Sequence, residues 1–311
     1  MTPPPTDFVR FDQPWTIPEL IARKNGRRVS VVLPALNEQE TITGVIASIR
    51  PLVGGLVDEL LVVDSGSTDR TRDRARAAGA IVYTREQAVP DLPTRPGKGE
   101  VLWRSLAVAS GDLIVFVDSD LVSPSPTIVP SLLAPLLTDH RLRLVKGCYR
   151  RPLRIGATYD LDGGGRVTQL VARPLLAALA PALAELAQPL SGEYAATRSL
   201  LTTIPMAPGY GVEIGILIDC WQRHGLRAIT EVDLGTRIHR NRPTHELAVM
   251  SRQIIATLLH RLRIQDSGVP LPQLTRDGDT WLRTAAELDA ADRPPMSGIP
   301  AALGPQLPAR I

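Results

Sequence analysis

Asp118 and Asp120 stand at the end of Ile114–Leu121, IVFVDSDL, where an apolar run meets two carboxylates separated by one serine. In a buried strand the side-chain period of two puts both on one side, where like charges repel. The pair is tolerable where a divalent cation, or the hydroxyls of a bound ligand, sit against it. Magnesium suits such a place, because it is commonly held by one or two carboxylates plus phosphate oxygens of a substrate. A solvated turn would use the same residue types. Two further polar strand ends favour the functional reading: Asn37–Glu38 closes VSVVLPALN, and Asp64–Ser65 interrupts DELLVVDSGSTD.

A second kind of chemistry is written in the basic and glycine-rich segments. DGGGR, residues 162–166, runs directly into VTQLVARPLLAAL, which has helical spacing. Glycines leading into a helix present unpaired N–H groups and the positive end of the helix dipole to an anion. A flexible turn would use the same glycines; Arg166 and Thr168 favour a phosphate or carboxylate. RIHRNRP, residues 237–243, places His239 among arginines, and RPGKGE puts Lys98 at the start of a helix. That lysine is not in a Walker loop, because the G-x-x-x-x-G-K-[ST] spacing is missing. In GYGVEIG, Glu213 sits on an otherwise apolar helix, where a carboxylate is costly unless paired or hydrogen-bonded.

The elements that must carry these residues alternate. Val29–Asn37 is a β-branched run, and ETITGVIASI after it spaces Ile42, Val45, Ile46 and Ile49 as a helix does. The second apolar run, a charged helical stretch, AIVYT, the helical KGEVLWRSLAVAS and DLIVFVDSD continue the pattern. Continuous apolar strands between helices predict a mainly parallel α/β sheet covered on both faces. Ligands of such sheets bind beyond the carboxyl ends of the strands. RLRLVKGCYRR and ITEVDLGT read as later strands, GYGVEIGILIDCW and Pro243–Leu262 as later helices. Leu175–Ala187, interrupted by Pro181 and Glu185, reads as a packed amphipathic helix and a poor membrane span. Beyond about residue 263, proline and polar residues predict a mobile tail.

Composition excludes several classes. The chain has 311 residues, 44% of them hydrophobic, enough for a sizeable core. Lys and Arg exceed Asp and Glu by only 35 to 32, so despite a pI near 9.1 no overall field argues for nucleic acid. Cys148 and Cys220 form neither a disulfide framework nor a zinc site, and MTPPPTDF is not a signal peptide, which predicts a cytoplasmic protein.

The strand-end pattern resembles glycosyltransferases of the GT-A fold, in which PxxNE follows the first strand, D-x-G-S-x-D the second and DxD the fourth. PALNE (34–38), DSGSTD (64–69), RPGKGE, DSD, GGGRVT (163–168), QPLSGEY (188–194), GYGVEIG (209–215) and RIHRNRP, in this order, resemble the glucosyl-3-phosphoglycerate synthases more narrowly. The match runs from about Trp15 to about Val269. It implies a Rossmann-like sheet with a nucleotide-sugar subdomain over 28–155 and an acceptor-binding subdomain over 156–262, flanked by an arm (1–27) and a tail (263–311). It also implies a retaining transfer of glucose from UDP-glucose to the 2-hydroxyl of 3-phosphoglycerate, with magnesium or manganese, in a homodimer. The product would be a precursor of methylglucose lipopolysaccharide.

Position by position, the resemblance assigns Pro34, Ala35, Leu36, Asn37, Glu38, Ser65, Lys98, Asp118 and Ser119 to the uridine and diphosphate. Asp120 and His239 would bind the metal. Tyr210, Gly211, Val212 and Glu213 would meet the donor sugar, with Arg237 and Arg242 also on the donor side. Gly165, Arg166, Val167, Thr168 and Asn241 would receive the acceptor, for whose anionic groups Arg166, Arg237, Arg240 and Arg242 are available as bidentate partners. Asp120, Glu213 and Lys98 would be the catalytic group.

Other readings fit less well. A haloacid-dehalogenase-like phosphatase carries its DxD near the start of the domain, and a sugar-1-phosphate nucleotidyltransferase needs a glycine- and arginine-rich signature where PALNEQE stands. A non-catalytic sensor of sugar nucleotides has no use for a second anion site such as GGGRVT. Nearer rivals are transferases resembling mannosyl-3-phosphoglycerate synthase or polyprenyl-phosphate glycosyltransferases. Residue chemistry alone does not separate UDP-glucose from GDP-mannose; that choice rests on the resemblance.

Overall fold

The computed structural model describes residues 15–155, 158–160, 164–237, 243–286 and 291–299. In chain order the strands are β1 (Val29–Ala35), β2 (Glu59–Asp64), β3 (Ile81–Thr84), β4 (Leu113–Phe116), β5 (Leu144–Arg150), β6 (Leu153–Ile155), β7 (Thr158–Asp160), β8 (Tyr194–Thr197), β9 (Ile229–Thr236), β10 (Leu271–Asp277) and β11 (Thr280–Ala286). The α-helices are α1 (Ile17–Lys24), α2 (Ile42–Ile49), α3 (Thr71–Ala77), α4 (Arg85–Ala88), α5 (Lys98–Val108), α6 (Ile128–Thr138), α7 (Arg173–Leu179), α8 (Arg198–Thr203), α9 (Val212–His224) and α10 (Thr244–Arg261).

Seven strands form one sheet in the order β3-β2-β1-β4-β8-β5-β9, all parallel except β8, which is antiparallel to both its neighbours. The predicted mainly parallel α/β architecture is the observed one. Because successive side chains point to opposite faces, the strands divide the core in two. Val29, Val31 and Leu33 pack with α2 and α6 on one face; Val32, Ile114 and Phe116 pack with α5 and α9 on the other. Both faces are covered, which is why these strands are apolar without alternation.

The parallel strands β1, β2 and β4 deliver their carboxyl ends to one edge. Past β1, Asn37 takes a left-handed backbone (φ 57°), accepts from the Thr68 N–H at 2.9 Å and donates its own N–H to Ser67 Oγ at 2.9 Å. Asp64 at the end of β2 accepts from the Gly66 and Ser67 N–H groups at 3.0 and 2.9 Å. Both turns are therefore tied by side chains that short polar residues supply.

Four regions differ from the sequence-based expectation. β4 stops at Phe116, so Asp118 and Asp120 lie in the turn beyond it and not on one face of a strand. Their convergence comes from the turn, not from the strand period. The expected helix over Leu175–Ala187 ends at Leu179: Pro181, which lacks an N–H, starts a separate 3-10 turn. Thr168–Ala172 is a π-turn leading into α7. In the region expected to be a mobile tail, β10 and β11 form a hairpin and Ala291–Ile299 docks onto the body, with Met296 fully buried. The apolar face of α10 turns inward at Ile254 and Leu258, so part of it is core.

The N-terminus of α5 is fixed by close backbone approach. Gly97 has φ 97° and packs on Gly209, and a methyl at Gly99 would run into the Ala207 carbonyl oxygen. Gly99→Ala is therefore expected to lower the melting temperature, by the equivalent of about 1–3 kcal/mol, read by calorimetry; an unchanged melt would mean that this helix end can slide.

Candidate active site

A cleft opens at the carboxyl edge of the sheet. It is lined by Lys98, Asp118, Asp120 and Glu213 on one side and by Gly164, Gly165, Arg166, Val167 and Thr168 on the other, with Tyr149, Arg151, Gly192, Tyr210 and the α10 residues Leu247, Met250 and Ile254 completing the wall. The sequence-predicted residues Lys98, Asp118, Asp120, Gly165, Arg166, Val167, Thr168, Tyr210 and Glu213 are thus brought together.

Lys98 is the hub. Its Nζ lies 2.6 Å from Asp118 Oδ1 and 2.7 Å from Glu213 Oε1, while the side chains of Lys98 and Glu213 are only 18% and 6% exposed. Burial works against the charged ammonium, but the two carboxylates outweigh it and hold the Lys98 pKa well above its ordinary value. Lys98 is thus held as a cation between two carboxylates. Asp118 is in turn held from behind: a methyl at Gly192 would collide with the Asp118 carboxylate.

The loop before α9 is equally constrained. Gly209 has φ 54° and lies against Gln253, the Tyr210 N–H donates to Gln253 Oε1 at 3.0 Å, and Gly211 has no room for a Cβ beside Thr257. Helix α10 thereby aims Tyr210 and Glu213 at the cleft. Val212 is buried in the core, so only its backbone is available to a donor. On the opposite wall Gly165 (φ 70°) precedes a helical stretch beginning at Arg166, and the Gly164 N–H donates to the Arg151 carbonyl at 2.8 Å. The glycines thus lead into a helical stretch at the cleft, as their place in the sequence predicted.

Beneath the cleft lies a buried charged layer. Glu193 is fully buried, and burial together with the Asp118 charge raises its carboxyl pKa against the pull of Arg237 and Lys98. Lys146, 1% exposed, donates to the Ser191 carbonyl at 2.7 Å and sits 4.8 Å from the Tyr194 ring centre; burial pushes its pKa down to about 8. Arg237 is 5% exposed, lies over the Tyr149 ring at 5.4 Å, and has no hydrogen-bond partner for either terminal nitrogen among the described residues. Unsatisfied buried donors of that strength are costly unless something else takes them up.

Pro34, Ala35, Leu36, Asn37, Glu38 and Ser65 lie on the same sheet edge but outside the cleft lining. Ser119 joins them to it, donating from Oγ to the Pro34 carbonyl at 2.6 Å. His239, Arg240, Asn241 and Arg242 lie outside the described residues. Sequence reasoning missed Tyr149, Arg151, Gly192, Glu193 and Lys146. A lysine inside the apolar strand segment LVKG was a usable signal for the last of these; Gly192 had none beyond its place in QPLSGEY.

For a divalent cation the fit is good: Asp120 supplies a hard oxygen at the cleft, and Lys98 is engaged with Asp118 and Glu213. Among the described residues no group of three metal-ligating side chains occurs, so a metal here would take further ligands from elsewhere, for which phosphate oxygens are suited.

A mainly parallel sheet with acidic strand ends and a glycine turn across the cleft is the arrangement of a GT-A-type transferase of sugar nucleotides. In agreement, residues 30–152 match the glycosyl transferase family 2 model. Glucosyl-3-phosphoglycerate synthase of Mycolicibacterium smegmatis is 62% identical over 283 residues, 91% of this chain and 93% of that one. The crystal structure of the Mycobacterium tuberculosis enzyme with Mn2+, UDP-glucose and phosphoglyceric acid superposes with a TM-score of 0.86 at 58% identity, covering 94% of this chain and 98% of that one. The same enzyme with Mn2+, UDP and glucosyl-3-phosphoglycerate gives a TM-score of 0.87 at 59% identity, with 94% and 99% covered. The chain belongs to the glucosyl-3-phosphoglycerate synthases.

Gly192→Ala should displace Asp118 from Lys98 and lower kcat at least about tenfold without unfolding the protein. Wild-type turnover in this variant would mean that the pair tolerates displacement.

Proposed function

We infer that this chain transfers glucose from UDP-glucose to the 2-hydroxyl of 3-phosphoglycerate with retention of configuration, giving glucosyl-3-phosphoglycerate. The observation that carries this reading is Lys98 bridging Asp118 and Glu213 across a cleft from the Gly165–Thr168 turn. One cation-and-carboxylate cluster suits a sugar diphosphate, and one anion-receiving turn suits a small phosphorylated acid. The M. tuberculosis enzyme holds UDP-glucose and phosphoglyceric acid with Mn2+ in one crystal structure, UDP and glucosyl-3-phosphoglycerate with Mn2+ in another, and UDP with Mg2+ in a third.

Residues 28–155 then form the donor half and 156–262 the acceptor half. Asp120 would hold magnesium or manganese, and His239 is its expected second protein ligand. The bound metal neutralises charge on the departing diphosphate. Lys98, paired with two carboxylates, would support the same charge. Arg166, with the N–H groups that follow Gly165, takes the acceptor's phosphate or carboxylate and presents its hydroxyl to the anomeric carbon. We favour attack on the face from which UDP leaves: the acceptor oxygen bonds to C1, the C1–oxygen bond to UDP breaks with its electron pair, and the hydroxyl proton passes to a β-phosphate oxygen. Glu213, neutralised by Lys98 at 2.7 Å, is better suited to hold sugar hydroxyls than to act as a nucleophile. A glucosyl adduct on Glu213, detected by mass spectrometry, would overturn that assignment.

Among the described residues no helix is long and apolar enough to cross a membrane, and a cytoplasmic setting is proposed. A homodimer is proposed as well. The β10–β11 hairpin exposes Leu274 and Trp281 at 62% and 64%, and an isolated two-stranded hairpin is marginal in water. Light scattering should give the mass of two chains, and Trp281→Lys should shift it towards one; no shift would remove the hairpin from the interface.

Incubation with Mn2+, 3-phosphoglycerate and UDP-glucose should release UDP, and GDP-mannose should not replace the donor. Absence of turnover with UDP-glucose would sink the assignment. Asp120→Ala should abolish metal-dependent turnover. Arg166→Ala should raise the acceptor KM by about tenfold or more, leaving the donor KM little changed; an effect confined to the donor would move Arg166 to the other half of the site.

A further inference from the structure

Helix α5 begins with Lys98, and its next turns face a segment near the other end of the chain. Glu100, 3% exposed, is gripped by two arginines: Arg104 Nε lies 2.5 Å from Oε1, and Arg293 Nε and Nη2 lie 2.7 Å from Oε2 and Oε1. Arg104 spreads its remaining donors over the Arg85, Val89, Leu92 and Pro93 carbonyls. Trp103 Nε1 donates to the Pro294 carbonyl at 2.7 Å, with the Arg293 guanidinium 5.0 Å from its ring centre.

The same segment also reaches the loop and helices opposite Lys98. The backbones of Arg293 and Met206 exchange hydrogen bonds at 2.9 and 3.0 Å, three residues before Gly209. Asp292 accepts from Arg261 of α10 at 2.6 Å, and Arg261 Nε holds Asp219 of α9 at 2.9 Å. One short segment therefore joins the helix that starts with Lys98, the loop that carries Tyr210, the helix that carries Glu213, and α10, whose Gln253 holds the Tyr210 N–H.

We propose that Arg293 is a positioning residue for glucosyl transfer: as the centre of an Ala291–Ile299 strap it locks α5 against the Met206–Gly211 loop, and so fixes Lys98 between Asp118 and Glu213. A buried ion cluster is weak evidence for stability, since apolar residues of the same volume often serve as well. A bidentate guanidinium fork, however, fixes rotation and depth of the helix it grips, which apolar packing does not. Misplacement of a charged group by about 1 Å costs on the order of a hundredfold in rate.

The proposal rests on Lys98 acting on the donor side. The test is a cycle of Arg293→Met and Lys98→Met, followed by kcat and by the dissociation constant for UDP in Mn2+, measured calorimetrically so that inactive variants still report. Arg293→Met is expected to lower kcat about tenfold to a hundredfold and to weaken UDP binding, with the acceptor KM within about twofold of wild type. In the Lys98→Met background Arg293→Met should add no further loss of UDP affinity, because the group it positions is gone. Losses that multiply would mean a general structural role and overturn the proposal, as would wild-type kcat and UDP affinity in Arg293→Met while Lys98→Met is impaired. Wild-type behaviour of Lys98→Met would instead overturn the donor-side reading. Should Arg293→Met fail to fold, Trp103→Phe, which removes the bond to the Pro294 carbonyl and shrinks the ring beside the Arg293 guanidinium, is expected to show the same non-additivity with Lys98→Met at smaller amplitude; additivity there would overturn the strap.

Discussion

The site depends on one ammonium group with two carboxylates. Without Lys98, Asp118 and Glu213 would face each other across a largely buried cleft with no described cation at hydrogen-bond distance from both, and a buried charge left unpaired is among the costlier defects a protein can carry. With Lys98 in place, the three side chains come from three elements distant in sequence: the start of α5, the turn after β4 and the first turn of α9. Their meeting is a strong constraint on how those elements pack. The glycines at positions 97, 99, 192, 209 and 211 meet that constraint, since nearly every one sits where a side chain would keep two of these pieces apart.

The layer beneath the cleft shows how such a concentration of charge is tolerated. Glu193, Glu231, Lys146 and Arg237 alternate in sign below Asp118, Lys98 and Glu213, with Tyr149 and Tyr194 between them. Lys146 keeps a carbonyl acceptor and an aromatic face, and Glu231 accepts from the Ala187 and Gln188 N–H groups, both at 2.8 Å. Arg237 alone keeps two buried donors without acceptors among the described residues.

Much of this was legible in the residues. The apolar runs of β1, β2 and β4 and the helical spacing between them specify a parallel sheet, because local pattern and tertiary role agree there. The polar strand ends and the glycine turn were readable for the same reason: ligand sites at sheet edges use residues whose backbone chemistry is local. What escaped depends on contacts between distant segments. Gly192 matters only because Asp118 lies behind it. Arg293 sits in a proline-rich stretch whose composition predicts mobility, and its order comes from Glu100, 193 residues away, which no periodicity reports. Asp118 and Asp120 do line the cleft, but they were singled out for a strand alternation that the turn after Phe116 replaces.

The reversed strand β8 has a consequence for the order in which a growing chain acquires its parts. β4 and β5 are not neighbours; β8 lies between them, so the two halves of the sheet cannot join by native pairing until residue 197 has been synthesised. Before that point a nascent chain can already pair β1, β2, β3 and β4 and form the turns at their carboxyl ends. Because β8 runs backwards, it brings the beginning of a strand, Ser191–Glu193, to an edge otherwise made of strand ends, and so closes the floor beneath Asp118. Glu213 follows later, and Arg293 among the last residues of all. The chain thus builds the β1–β4 half of the sheet long before it holds all the groups that meet at Lys98.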